Sequence, residues 1–126
     1  GIMQKMNELT LDYTKTREQF GQALSKFQAL QHRMVDTFMV HEQTKSLLLM
    51  AAAKMNDKAA DTSKSISALK YQIGSAAKLI GEESIQLHGG MGVTEEMSIG
   101  HYFKRLTTIR TIFGNSDYHL KRYSSL

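Results

Sequence analysis

The sequence predicts an all-α fold, an up-and-down four-helix bundle, and three observations predict it. None of the 126 residues is proline, so the strongest interrupter of a helix is missing. Ala, Leu, Met, Lys, Gln and Glu, which lose little freedom on entering a helix, are plentiful. Apolar residues recur at steps of three and four along most of the chain, which is the period of one helix face. A chain of this length fills one core and not two, so a single domain, residues 1–126, is expected.

Ile2, Met6, Leu9 and Tyr13 place the first helix at the very start. With no N-cap before that pattern, the domain reads as part of a larger chain. The helix is expected to stop near Glu18–Gln19, where Phe20-Gly21 brings a glycine suited to a C-cap and Arg17 complements the helix dipole. Ser25-Lys26-Phe27-Gln28 matches a capping box that opens a second helix, ~45 Å long at 1.5 Å per residue. Its inward face reads Phe27, Leu30, Met34, Phe38, Leu47 to Met50 and Met55.

Polar Asn56 to Ser65 forms the connection to a third helix. Ile66, Leu69, Ile73, Ala76, Ile80, Ser84 and Leu87 give that helix its face, with Ala68, Ser75, Ala76 and Ala77 small enough for a close neighbour. It runs into QLHGGMGVTE, Gln86 to Glu95, where Gly89, Gly90 and Gly92 make a turn longer than a C-cap requires. Thr94, Glu95 and Glu96 then look like a helix start. Ile99, Tyr102, Phe103, Leu106, Ile109, Ile112 and Phe113 continue helical spacing, with a break expected at Thr107–Thr108. Gly114-Asn115-Ser116 ends this fourth helix and caps a last short one through Leu120 and Tyr123.

Composition removes several kinds of chemistry. With no Cys there is no disulfide, thiolate nucleophile or cysteine-bound metal. The longest apolar run, Leu47 to Ala53, is far short of the ~20 residues of a membrane span. A net charge of +4 permits an anionic partner, yet no basic run suggests nucleic acid. The five His residues (His32, His41, His88, His101, His119) show no metal-binding spacing and are expected at the surface or at caps. Glu82-Glu83 and Glu95-Glu96 point about 100° apart on a helix and read as solvated.

Three separated blocks carry a resemblance. TREQFG (Thr16 to Gly21), FQALQ (Phe27 to Gln31), and QLHGGMGVTEE (Gln86 to Glu96) followed by GHYFKRL (Gly100 to Leu106) resemble the C-terminal domain of FAD-dependent acyl-CoA dehydrogenases. Order and spacing agree over almost the whole chain. The resemblance implies a bundle that embraces FAD held largely by another subunit, and an activity that oxidises an acyl-CoA to its 2,3-enoyl-CoA. Carried over residue by residue, Arg17 meets the FAD pyrophosphate, Phe20 packs by the adenine, and Gln28 hydrogen-bonds on the adenine side. Gln86, Gly89 and Gly90 approach the adenosine and pyrophosphate. Implied partners are the acyl-CoA substrate, the remaining domains of the same chain, and further subunits in a homo- or hetero-oligomer. The implied location is the bacterial cytoplasm.

One departure from the family's pattern bears on catalysis. Many members carry a catalytic Glu in a Tyr-Glu-Gly-Thr segment, and the matching stretch here is Phe113-Gly114-Asn115-Ser116. The base position is thus occupied by Gly114 and Asn115, and no catalytic residue is expected within these residues. Some members place the Glu upstream, before the position of Gly1. The alternative is a non-catalytic partner subunit of a heteromeric dehydrogenase that lacks the catalytic Glu. Taken alone the chain is expected to be inactive and to self-associate through Met-rich faces that include Met34, Met39, Met50 and Met55.

Overall fold

The computed structural model describes residues 1–126 and is helical almost throughout. In chain order come helix α1 (Ile2–Thr16), strands β1 (Glu18–Gln19) and β2 (Gln22–Ala23), and a short 3-10 turn (Leu24–Lys26). Helices α2 (Gln28–Asn56) and α3 (Thr62–His88) follow, then a second 3-10 turn (Gly89–Val93), α4 (Ser98–Ile109) and α5 (Ser116–Ser125). Four main helices and a short fifth form the expected bundle. The two strands make one antiparallel pair, Glu18 opposite Ala23 and Gln19 opposite Gln22. No helix is long and apolar enough to cross a membrane.

α3 is the central helix and packs against the other four. The core is a cluster of Met6, Ala77, Ile80, Ile99 and Leu106, drawn from α1, α3 and α4, with Val40 of α2 and Phe103 of α4 half-buried beside it. Two glycines set how closely α3 is approached. A Cβ at Gly74 would lie 2.1 Å from Ser116 Oγ of α5, and one at Gly81 would lie 2.9 Å from the Phe103 ring. At these positions α3 carries no side chain where a neighbour's side chain occupies the space.

α2 corrects the expected inward face. Its buried residues are Thr37, Thr44 and Ala51, one every seven positions, whereas Phe38, Leu48, Leu49, Met50 and Met55 are exposed. Thr37 and Thr44 can face the interior because their hydroxyls donate within the helix, to Met34 O at 2.9 Å and Val40 O at 2.7 Å. The same device serves α1, where buried Thr10 donates to Met6 O at 2.7 Å. Small residues whose polar groups are already satisfied let α1, α2 and α3 meet without large side chains between them.

Helix ends also differ from expectation. α1 stops at Thr16, and Arg17 is extended (φ −79°, ψ 123°), because Glu18 to Ala23 form a hairpin with both tip residues left-handed, Phe20 at φ 54° and Gly21 at φ 78°. The capping box does not form. α2 starts at Gln28 with Phe27 as its cap residue and no side-chain cap, while Gln31 Nε2 donates to Ser25 O at 2.8 Å and ties the entry turn instead.

At the far end of α2, Lys58 takes the left-handed position (φ 52°), with Lys58 N donating to Met55 O and Ala59 N to Lys54 O. The connection is therefore shorter than Asn56 to Ser65, and Lys54 pairs with Asp61 across it. α4 ends at Ile109, slightly past the expected break, and Ile112 and Phe113 lie in a turn whose Ile112 O accepts from Lys70 Nζ at 2.8 Å.

Candidate functional site

The C-terminal end of α3 and the C-terminal end of α1 lie side by side and open onto one groove of about 510 Å³. Its lining includes Tyr13, Arg17 and Gln19 from the α1 side, Arg33 from α2, and Gln86, His88, Gly89, Gly90 and Met91 from the end of α3 and the turn after it. Four residues expected from the sequence to share a site, Arg17, Gln86, Gly89 and Gly90, therefore meet here although about seventy positions of chain separate them. Phe20 and Gln28 are not part of the lining. Phe20 is 93% exposed at the hairpin tip, edge-on to Phe27 with ring centroids 6.2 Å apart, and Gln28 is exposed at the first position of α2.

Arg17 is held by its backbone. Its N–H donates to Tyr13 O at 2.8 Å and its carbonyl accepts from Leu24 N at 2.9 Å, which fixes the residue where helix gives way to hairpin. The guanidinium is exposed and has no carboxylate partner. Arg33, the other cation of the groove, is neutralised: its Nε donates to Glu83 Oε2 at 2.5 Å, joining α2 to α3. Glu83 is thus half-buried and paired rather than solvated. The groove is left with one uncompensated positive charge.

His88 and His119 are buried, against the expectation that the histidines sit at the surface or at caps. The His88 ring stacks on Tyr13, and its Nδ1 lies 2.8 Å from Ser84 O. A carbonyl only accepts, so Nδ1 carries the proton. Burial pushes the His88 pKa below its ordinary value, opposed by that backbone hydrogen bond, and the ring is neutral near pH 7. His88, Tyr13 and the Arg33–Glu83 tie were missed in the sequence. The position of His88 inside the glycine block is the one signal that could have drawn attention to it, whereas a pair fifty positions apart has no signal in one sequence.

The glycines of the turn divide by cause. A Cβ at Gly92 would lie 2.8 Å from Ile85 O and 3.0 Å from His88 Cβ, so this chain's own packing requires Gly92. Gly89 has φ 60°, which favours glycine on conformation alone. A Cβ at Gly90 would meet nothing within 4 Å. Bare backbone opens into the groove there, beside a free cation and the Gln86 amide. Such a donor set fits a ligand that carries an anionic group and planar polar edges, and FAD has both.

At the position expected for a catalytic base the turn has no room for one. Gly114 has φ 98°, and a Cβ there would lie 2.5 Å from Tyr118 Cδ1. His119 pins the turn by donating from Nε2 to Phe113 O at 2.9 Å. Asn115 is engaged as the N-cap of α5, its Oδ1 accepting from Tyr118 N at 2.9 Å. No group of three or more His, Asp or Glu side chains that could hold a metal ion is present.

A family model described as "Acyl-CoA dehydrogenase, C-terminal domain" matches residues 1–124. Among curated proteins the chain is similar to acyl-CoA dehydrogenase IpdE2 of Mycolicibacterium smegmatis, 33% identical over 97% of this chain and 37% of that protein. Among solved structures it is similar to a variant of the Tcur3481-Tcur3483 steroid ACAD, with a TM-score of 0.95 and 30% identity over 99% of this chain and 34% of that one. It is also similar to the FAD complex of PigA, with a TM-score of 0.90 and 28% identity over 98% of this chain and 32% of that one. The chain thus spans about a third of the length of the relatives it matches.

Proposed function

This chain belongs to the acyl-CoA dehydrogenase family, as its C-terminal domain, and from that premise we propose that it serves an FAD-dependent oxidation of an acyl-CoA to its 2,3-enoyl-CoA. In this reading residues 1–126 are the C-terminal helical bundle of a larger chain, and they contribute FAD contacts and subunit assembly. One observation carries it: the meeting of Arg17, Gln86, Gly89 and Gly90 in a single groove with one uncompensated cation.

Each residue has a task that its surroundings suit. Arg17, unpaired and held at a chain reversal, binds the pyrophosphate of the cofactor. Gly89 and Gly90 bring backbone up to the ligand, and Gln86 offers an amide to the adenosine portion. Phe20 and Gln28, outside the groove, reach the adenine side from the hairpin tip and the start of α2. Stacked Tyr13 and His88 close the floor against water. When bound, the flavin supplies the hydride acceptor for the dehydrogenation.

The proton is removed by a carboxylate from outside these residues, because Gly114 and Asn115 provide none. Relatives that include dehydrogenases acting on short-chain acyl-CoA and on (R)-benzylsuccinyl-CoA support the catalytic reading over that of a partner subunit without a base. A bacterial cytoplasmic location belongs to the same proposal. The test is to purify the longer protein that carries this domain, measure flavin absorbance, and assay turnover of acyl-CoA substrates with an artificial electron acceptor. Bound flavin and turnover are expected; bound flavin with no turnover on any acyl-CoA overturns the catalytic reading, and no flavin overturns both.

A further inference from the structure

Arg33 lines the groove from the second turn of α2. Of its guanidinium N–H groups, the one on Nε is engaged within the chain, donating to Glu83 Oε2 of α3 at 2.5 Å. The Nη1–Nη2 edge, the half of a guanidinium that fits two oxygens at once, makes no hydrogen bond to the protein. It is not sealed in either. Arg110 Nε is the one buried side-chain nitrogen or oxygen left without a partner, so both Nη atoms of Arg33 keep access to solvent. The Arg33 side chain is 37% exposed and that of Glu83 23%, which sets the carboxylate deeper than the guanidinium it holds. Neutralised in net charge, Arg33 is not exhausted as a donor.

We propose that Arg33 is a second anion-binding residue of this groove, oriented by Glu83, and that it shares the diphosphate of the ligand with Arg17. The inference rests on the proposed function, in which the groove receives FAD. A diphosphate spreads its negative charge over two phosphates and offers more acceptor oxygens than one guanidinium can satisfy. Arg17 follows the end of α1 and Arg33 stands on α2, so the two cations come to the groove from different elements. Arg17 has no carboxylate to aim it. Arg33 is aimed before any ligand arrives.

A free Arg side chain loses rotamer freedom when it binds a ligand, whereas one clamped at Nε has already lost it, so the same contact is tighter. The carboxylate also offsets the charge of Arg33 while the groove is empty and competes with an anionic ligand once it is filled. Glu83 therefore helps by position and opposes by charge, two effects that substitution separates. As a tie between helices alone the pair would be a poor choice, because a half-buried ion pair gains little over apolar side chains of similar size. Lysine could not replace Arg33. Its single nitrogen would sit on Glu83, while a guanidinium has one edge for the carboxylate and another for the ligand.

The test is the FAD dissociation constant of the longer protein, stripped of flavin and titrated with FAD, with the melting temperature of the flavin-free form as control. Glu83→Gln keeps an acceptor for Nε but removes the charge, and should tighten FAD about threefold or more. Glu83→Ala removes charge and acceptor together, and should bind about fivefold or more weakly than Glu83→Gln. Arg33→Met combined with Glu83→Gln leaves no unpaired carboxylate behind, and should bind about tenfold or more weakly than Glu83→Gln alone. Arg33→Lys should weaken FAD about fivefold or more against the parent. Unchanged affinity in the Arg33 variants, equal affinity in the two Glu83 variants, or losses that only follow the melting temperature overturn the proposal. Arg17→Ala tells the two readings apart. If it weakens FAD and the Arg33 variants do not, this inference alone fails; if it too leaves FAD binding unchanged, the groove is not the cofactor site and the proposed function fails with it.

Discussion

The His88 ring lies against Tyr13 with centroids 4.3 Å apart and planes 23° from parallel, so α3 and α1 floor the groove with one stacked pair. That burial has a pH consequence. Because the folded ring takes a proton less readily than an ordinary His of pKa 6.5, the unfolded chain binds the proton first as pH falls. Stability conferred by neutral His88 is complete above about pH 6.5, declines below it, and levels off once the folded ring also titrates. The thermal midpoint should fall from about pH 7.5 to pH 5, and His88→Gln should flatten the fall; parallel curves for the two proteins would refute this.

Arg17→Ala in the longer protein should weaken flavin retention about tenfold or more, beyond the ~0.3–1 kcal/mol of a helix-dipole contact. Arg17→Lys should recover part of it, since it keeps the charge without the fork. Thermal stability without flavin should not change, because the guanidinium holds no ion pair in the fold. Equal flavin occupancy in all three proteins would return Arg17 to a structural role.

Gly90 and Gly92 should separate binding from stability. Gly90→Val places its side chain in open space and should lower flavin occupancy while the flavin-free protein melts as before. Gly92→Ala drives a methyl toward Ile85 O, which is backbone and cannot swing aside, at a cost of about 1–3 kcal/mol. Denaturant unfolding and flavin absorbance on both variants decide the matter, and the reverse pattern would contradict the assignment.

Gly114→Glu should not create a base. The substitution forces a side chain onto a backbone at φ 98° and against Tyr118, costing about 1–3 kcal/mol. No gain in turnover is expected in the longer protein. A variant that gained activity while keeping its melting temperature would show that the turn has room after all.

Helix positions were legible because α1, α3 and α4 keep a clean apolar period, and Arg17, Gln86, Gly89 and Gly90 were legible because their blocks resemble a known domain. The buried side of α2 was not. Its outward face carries Phe38, Leu49 and Met50, which imitate a core stripe, while the true interior line holds two threonines whose polarity is hidden by hydrogen bonds to their own helix. The hairpin after Arg17 was hidden because Phe20 adopts a left-handed conformation usually left to glycine. Histidine burial was equally unreadable, since His88 depends on Tyr13, seventy-five positions away in the chain but 4.3 Å away in space.

The close approach of α5 and α4 to α3 also constrains how this bundle can diverge. Position 74 has no side chain because Ser116 fills its place, and position 81 has none because the Phe103 ring lies across it. Neither member of a pair is free to drift by itself: a methyl gained at 74 must coincide with an atom lost or swung aside at 116, and one gained at 81 with a smaller ring site at 103. In descendants of this sequence the two contacts are expected to behave as coupled sites, so substitutions there should arrive together, and a lineage that loses one glycine alone must turn the facing side chain aside or shift its helix.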